Sequence, residues 1–325
     1  MPSVIRKAAP TPGDLHVNAP LTNLAVAYKQ LAGYVATRMF PPIAVQKQSD
    51  LFYKWNKRTF LSAFAKVRPP GTETVGAIMS LTTDSYSCDT FGYHYDVSDP
   101  QRANADNQLS LDDAAQGHVM EAMLREQERR WIADFFKDGV WATDVTGVDS
   151  APSGGQFLRW NKANSDPAAD IETGKSTILA STGKEPRTMC IGRRVYAALR
   201  TNAAVRDQFK YTSSDSISTE MLARYFDLDE LMVSDVIATT DFGATYDLLA
   251  GKHALLAYVE PGAAINKVSA GFTFSWSGYT GAVEGVRIKK YRLEQFGVDR
   301  IEGEYAFDHK LVAGDLGYFF KTAIT

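Results

Sequence analysis

The stretch Thr173-Gly174-Lys175-Ser176-Thr177 is where this chain comes nearest to phosphate chemistry. A phosphate loop of the form G-x-x-x-x-G-K-[ST] places a further glycine at position 169, so that backbone N–H groups can cradle an anion. Ala169 stands there, and the segment continues a helical pattern instead of joining a strand to a helix. The expectation is a solvated helix turn. His16, His94, His118, His253 and His309 are scattered, with no H-E-x-x-H or similar pair. Cys88 and Cys190 have no C-x-x-C partner, which fits two reduced thiols and argues against zinc. There is no G-x-S-x-G elbow and no G-x-G-x-x-G fingerprint. No pair of carboxylates stands out as general acid and base. The expectation is no catalytic residue, no metal and no cofactor.

Charge is uneven along the chain although the net value is only -3. Residues 51–72 carry Lys54, Lys57, Arg58, Lys66 and Arg68 and no acid. Among them stand Phe52, Trp55, Phe60 and Phe64. Residues 84–113 carry Asp84, Asp89, Asp96, Asp99, Asp106, Asp112 and Asp113 against Arg102 alone. Three readings are open: a basic segment meeting an acidic neighbour, two separately solvated faces, or aromatics and cations gripping single-stranded nucleic acid.

The elements that would position these residues follow from periodicity. The chain has 325 residues, 45% apolar and 22% charged, enough for two domains or one elaborated domain. No signal peptide opens it, and no apolar run approaches the roughly 20 residues of a membrane helix. Residues 1–20 are Pro-rich and read as an extended arm, and 21–31 have helical spacing. Residues 43–97 alternate as strands around Pro69-Pro70-Gly71, a pattern that suits a long two-stranded arm reaching away from the body.

Ser110, with Asp113 three residues on, caps a helix of about 111–137 that Gly139 would stop. Glu121 with Arg125 and Glu126 with Arg130 are i,i+4 pairs that support it. Yet Arg125 to Arg130 are six consecutive polar residues, which a helix buried in an ordinary core should not contain. Asp166 and Pro167 open a helix over 167–182 with Ile171, Ile178 and Leu179 on one side. Short apolar strands at 186–192, 230–237 and 253–259 then alternate with helices at 193–209 and 219–228, an α/β unit over 155–265. After Pro261 the pattern is all strand. In the last segment Ile301, Tyr305 and Phe307 face one way, Glu302 and Glu304 the other.

Taken in order, SDPQRANADNQLSLDDAAQ (98–116), MLREQERRWIADFF (123–136), KANSDPAADI (162–171), PRTMCIGRRVYAALRTNAAVRDQFKYT (186–212), DELMVSDVI (229–237) and HALLAYVEPG (253–262) resemble the tailed-bacteriophage major capsid protein family. The resemblance covers roughly 20–320 and lies in order and spacing rather than in any one motif. It implies an α+β capsid fold shared by tailed phages and herpesviruses. The implied parts are an N-terminal arm (1–37), an extended β-arm or E-loop (38–95), a P-domain with a long spine helix (96–154 and 269–325, the helix about 110–138), and an α/β A-domain (155–268). It further implies a major capsid protein, not an enzyme, that self-assembles into hexamers and pentamers around double-stranded DNA.

The implied partners are copies of itself, a portal protein, a separate scaffolding protein, a decoration protein where one exists, and packaged DNA bound non-specifically, with no membrane. The implied place is the virion, after assembly in the host cytoplasm. On this view Phe52, Lys54, Trp55, Lys57, Arg58, Phe60, Phe64, Lys66 and Arg68 on the arm, and Arg125, Arg129 and Arg130 on the spine helix, are candidates for inter-subunit contact. A bacterial nanocompartment shell of the same fold is the alternative, and a cytosolic nucleotide-binding enzyme built on 155–265 is a more distant one.

Overall fold

A computed structural model describes residues 33–55, 57, 65, 67–74, 81–105, 110–210, 217–238, 246–260, 262, 267–280 and 287–325. The helix expected over 21–31 lies outside them. The chain enters through a short helix α1 (Ala36–Met39) and strand β1 (Pro42–Val45), then forms the ribbon β2 (Ser49–Trp55) and β3 (Leu81–Ser87). β4 (Asp89–Ser98) and α2 (Asp99–Asn104) lead to the long helix α3 (Leu111–Phe135). β5 (Thr143–Val148) and β6 (Gln156–Leu158) come next, then α4 (Pro167–Thr182), β7 (Thr188–Gly192), α5 (Arg193–Thr201), α6 (Ala203–Phe209) and α7 (Thr219–Tyr225). β8 (Glu230–Ser234), the small pair β9 (Ile237–Ala238) and β10 (Asp247–Leu248), and β11 (Ala254–Ala257) follow. β12 (Gly271–Trp276), α8 (Ser277–Thr280), β13 (Arg287–Leu293), β14 (Val298–Leu311) and β15 (Gly317–Lys321) close the chain.

Two large sheets result. In the five-stranded sheet, β14 is long enough to serve several neighbours: its first part lies between β13 and β4, and its last residues pair with β12, which in turn pairs parallel with β1. The six-stranded sheet runs β6-β5-β15-β11-β7-β8. The sheets do not follow the sequence intervals. β5, within 96–154, and β15, within 269–325, lie in the same sheet as β7, β8 and β11.

Helix α3 is about 37 Å long at roughly 1.5 Å per residue. Ser110 caps it, its hydroxyl accepting from the Asp113 N–H at 3.4 Å. Ala115, Val119 and Met123, four residues apart, pack on Val97, Ile301, Tyr305 and Phe307 of the five-stranded sheet. Directly after the polar run, Trp131, Ile132 and Phe135 enter a different and larger core, shared with the six-stranded sheet. The six polar residues therefore fall where one helix passes between two cores.

Helix α4 forms as its signals require: Asp166 accepts from the Ala168 and Ala169 N–H groups, and Gly183 ends it in the left-handed region. Ile171 and Ile178 are buried, but Leu179 is 47% exposed, so the expected three-residue face is narrower than its spacing suggested. Gly174 lets this helix close on the sheet, since a Cβ there would lie 3.2 Å from Leu256 and 3.3 Å from the Tyr318 ring.

Candidate functional site

The arm comes first. β2 and β3 pair from Ser49 opposite Ser87 to Trp55 opposite Leu81. A two-stranded ribbon is marginal alone, and this one is moored at its base. Phe52 and Tyr86 pack on Phe274, with ring centroids 5.1 Å and 4.6 Å away, beside buried Ile43, Val45 and Phe272. Phe52 is thus occupied inside its own subunit. On the opposite ribbon face Leu51 and Tyr53 are 63% and 58% exposed.

The arm's described cations have partners in the chain. Lys54 pairs with Asp84 at 2.5 Å, Lys57 with Asp315 at 2.5 Å, and Arg68 donates to the Thr72 carbonyl. The Lys54 ammonium holds the Asp84 carboxyl below the usual range. Arg58, Phe60, Phe64 and Lys66 lie outside the described residues, as does the side chain of Trp55.

The acidic stretch is also largely matched internally. Asp96 meets Arg300 at 2.7 Å, Asp99 meets Arg292 at 2.6 Å, and Asp112 takes both Arg102 and Lys290. Those last two cations hold the Asp112 carboxyl down at about 2. The net effect is an ionic clasp joining α2, the start of α3 and β13, rather than an unmatched acidic face awaiting a basic partner.

The polar run of α3 is the second feature, and its residues divide. Glu126 accepts from Arg129 at 2.7 Å and Arg130 at 2.9 Å, and Glu121 from Arg125 at 2.9 Å. The Arg130 guanidinium also lies 4.2 Å from the Phe91 ring centroid. Gln127 and Glu128, however, are 2% and 1% exposed. Expecting this stretch to be wet all the way round is corrected here. Gln127 donates to the Tyr305 hydroxyl at 3.0 Å. The Glu128 carboxylate accepts from the Val35 and Ala36 N–H groups at 2.9 and 2.8 Å, and from Ser234 Oγ at 3.4 Å. Burial raises its pKa to about 7, against the three hydrogen bonds that favour the anion. Periodicity pointed to neither residue, because a buried polar side chain is defined by partners that are remote in sequence.

Lys175 is the second correction. Instead of standing on a solvated turn it is 3% exposed, and its ammonium donates to the carbonyls of Phe226 at 2.7 Å and Asp227 at 2.6 Å. It satisfies carbonyls just beyond the end of α7, where Asp227 is in the left-handed region. A lysine so placed is not available to hold a nucleotide phosphate. Lys175→Met should cost about 2 kcal/mol, because one buried and one part-buried carbonyl lose a charged donor. Urea unfolding monitored by tryptophan fluorescence measures this, and an unchanged midpoint would contradict the capping role.

The remaining reactive groups are sequestered. Burial pushes the Cys88 thiol up to about 12 and the Cys190 thiol well above its ordinary value, so neither is a ready thiolate. His309 is buried against Thr273 Oγ1, 2.8 Å from its Nδ1, and burial lowers it to about 4. Among the described residues no cluster of three or more His, Cys, Asp or Glu side chains could hold a metal ion. Likewise no described helix is long and apolar enough to cross a membrane.

No protein-family model matches the chain. The major capsid protein of Burkholderia phage BcepMu is 24% identical over 312 residues, covering 94% of this chain and 96% of that protein. A solved phage-related protein of Bordetella bronchiseptica RB50 superposes with a TM-score of 0.70 at 22% identity, over 94% of this chain and 97% of the other. The capsid structure of cyanophage P-SCSP1u matches with a TM-score of 0.55 at 12% identity, over 86% and 84%. The resemblance read from the ordered segments thus extends across sequence and fold alike: the chain has the fold of the phage capsid proteins and is similar over nearly its whole length to a phage major capsid protein.

Proposed function

We propose that this chain is the shell subunit of a phage head, working by assembly rather than by turnover. The observation that carries this reading is the relation to a phage major capsid protein over 94% of this chain and 96% of that one. That relative also favours a virion shell over a bacterial compartment. The described geometry suits the role. A moored ribbon exposing Leu51 and Tyr53 offers a neighbour apolar surface, and ring-rich interfaces of this kind carry much of the energy of association.

In this reading the subunits form hexamers and pentamers enclosing double-stranded DNA, which is held without sequence preference. The stretch of the arm that carries Arg58, Phe60, Phe64 and Lys66 meets the adjoining subunit. Arg125, Arg129 and Arg130 are already paired along their own helix, so any contact they make with a neighbour is by their outer edges. A portal protein, a separate scaffolding protein and a decoration protein would complete the head.

Electron microscopy of the purified chain, expressed with and without its neighbouring head genes, tests the assignment. The expected result is closed shells of uniform diameter. Soluble monomers under every combination would overturn it.

A further inference from the structure

Residues 33–40 form the root by which the chain enters its own body, and they are deeply held. Val35, Ala36, Met39 and Phe40 are all at most 2% exposed. Phe40 packs edge-on to Trp131 and Trp141, and Gly271 leaves room for its ring, since a Cβ there would come within 2.4 Å. At the outer end, Gly33 has φ +108 and lies against the Asp235 backbone, a conformation and a proximity that suit glycine. Between these two points the first free N–H groups of the root meet one acceptor, the Glu128 carboxylate. Glu128 therefore joins three elements: the root, the middle of α3, and β8 through Ser234.

We propose that Glu128 is a proton-operated latch on this root: the protonated carboxyl keeps residues 33–40 docked, and the ionised carboxylate lets them leave. The carboxylate is desolvated, and among the described residues no cation forms an ion pair with it. The groups facing it from each packed element do not supply one. The root brings Tyr34, whose hydroxyl is pushed up to about 12 by burial with Glu121 and Glu128 adding to it. The root's Arg38 is engaged by Glu230. On α3 itself Arg125 is paired with Glu121. β7 brings the buried Cys190 thiol, and Asp235 after β8 pairs with Arg193.

The sign follows from linkage. The docked carboxyl titrates at about 7, above its ordinary value of 4.5, because burial opposes the charge. Docking therefore takes up a proton. The docked root has its full stability below about pH 4.5 and loses it as pH rises through 7. Between pH 5 and pH 8 the release equilibrium should shift toward the free root on the order of fifty-fold.

Hydrogen exchange of the purified full-length subunit, followed by mass spectrometry on peptides spanning 33–40 and corrected for intrinsic exchange, reads this equilibrium directly. In the wild-type chain, protection there should fall by that factor between pH 5 and pH 8, while β7 and β11 keep theirs. Glu128→Gln should flatten the profile. Ser234→Ala removes a bond that favours the anion, so it should move the midpoint to higher pH. A flat wild-type profile, or the same slope in Glu128→Gln, would overturn the latch. The wild-type profile decides the matter even if a variant fails to fold. Because the measurement uses unassembled subunits, its failure would leave the capsid assignment standing.

Discussion

A chain in which residues 56–80 are replaced by a two-residue Asn-Gly turn is expected to fold as a subunit and to make no shells. Trp55 lies opposite Leu81, so a two-residue turn can close the shortened ribbon in register. The apolar contacts that moor the arm stay intact, since Phe52, Tyr86 and Phe274 are all retained. Loss of Lys57 removes one exposed ion pair, with Asp315, which is worth at most about 1 kcal/mol. Stability should therefore change little, and the effect should fall on association. Gel filtration and electron microscopy check both halves. Shells of normal size from this variant would show that the arm is dispensable for assembly.

The largest effect on stability is expected from Trp131→Ala, at roughly 3–5 kcal/mol. The indole is fully buried, lies edge-on to Phe40 at 5.7 Å, and packs near Phe136 at 6.0 Å. Truncation would open a cavity between α3 and the root, in the core that also holds the six-stranded sheet. Domains commonly have only about 5–15 kcal/mol in hand, so such a loss should be visible as a large drop in the urea midpoint. Leu179→Ala is the matched control. At 47% exposed, that side chain should move the midpoint by no more than about 0.5 kcal/mol. Equal effects from the two would contradict the burial pattern.

These two side chains also show where reading a sequence succeeds and where it stops. Trp131 follows a polar run that looked like an interruption, and Leu179 sits at helical spacing with Ile171 and Ile178. Spacing predicted both helices correctly, because capping and periodicity are local: Ser110 acts on Asp113, and Asp166 on Ala168 and Ala169. Spacing could not say how wide the covered face is. That depends on what packs against the helix, and for α4 the cover stops short of Leu179.

The same division holds for the polar residues. Glu128 finds its N–H donors 92 and 93 residues away, and Lys175 finds its carbonyls 51 and 52 residues away. Nothing in the local sequence distinguishes them from Glu126 or from an exposed lysine. The arm cations were legible as a basic cluster, but their partners Asp84 and Asp315 were not.

By itself, then, the sequence determined the order of elements, their caps, the alternation of Ile301, Tyr305 and Phe307, and through that order the resemblance to the capsid family. Tertiary structure alone decided that β5 and β15 share a sheet with β7, β8 and β11, that Phe52 turns inward, and that two of the six polar residues on α3 are buried. The physical reason is range. Hydrogen-bond capping and side-chain periodicity act within a turn or two of chain, whereas desolvation and strand pairing depend on segments that meet only when the chain has folded.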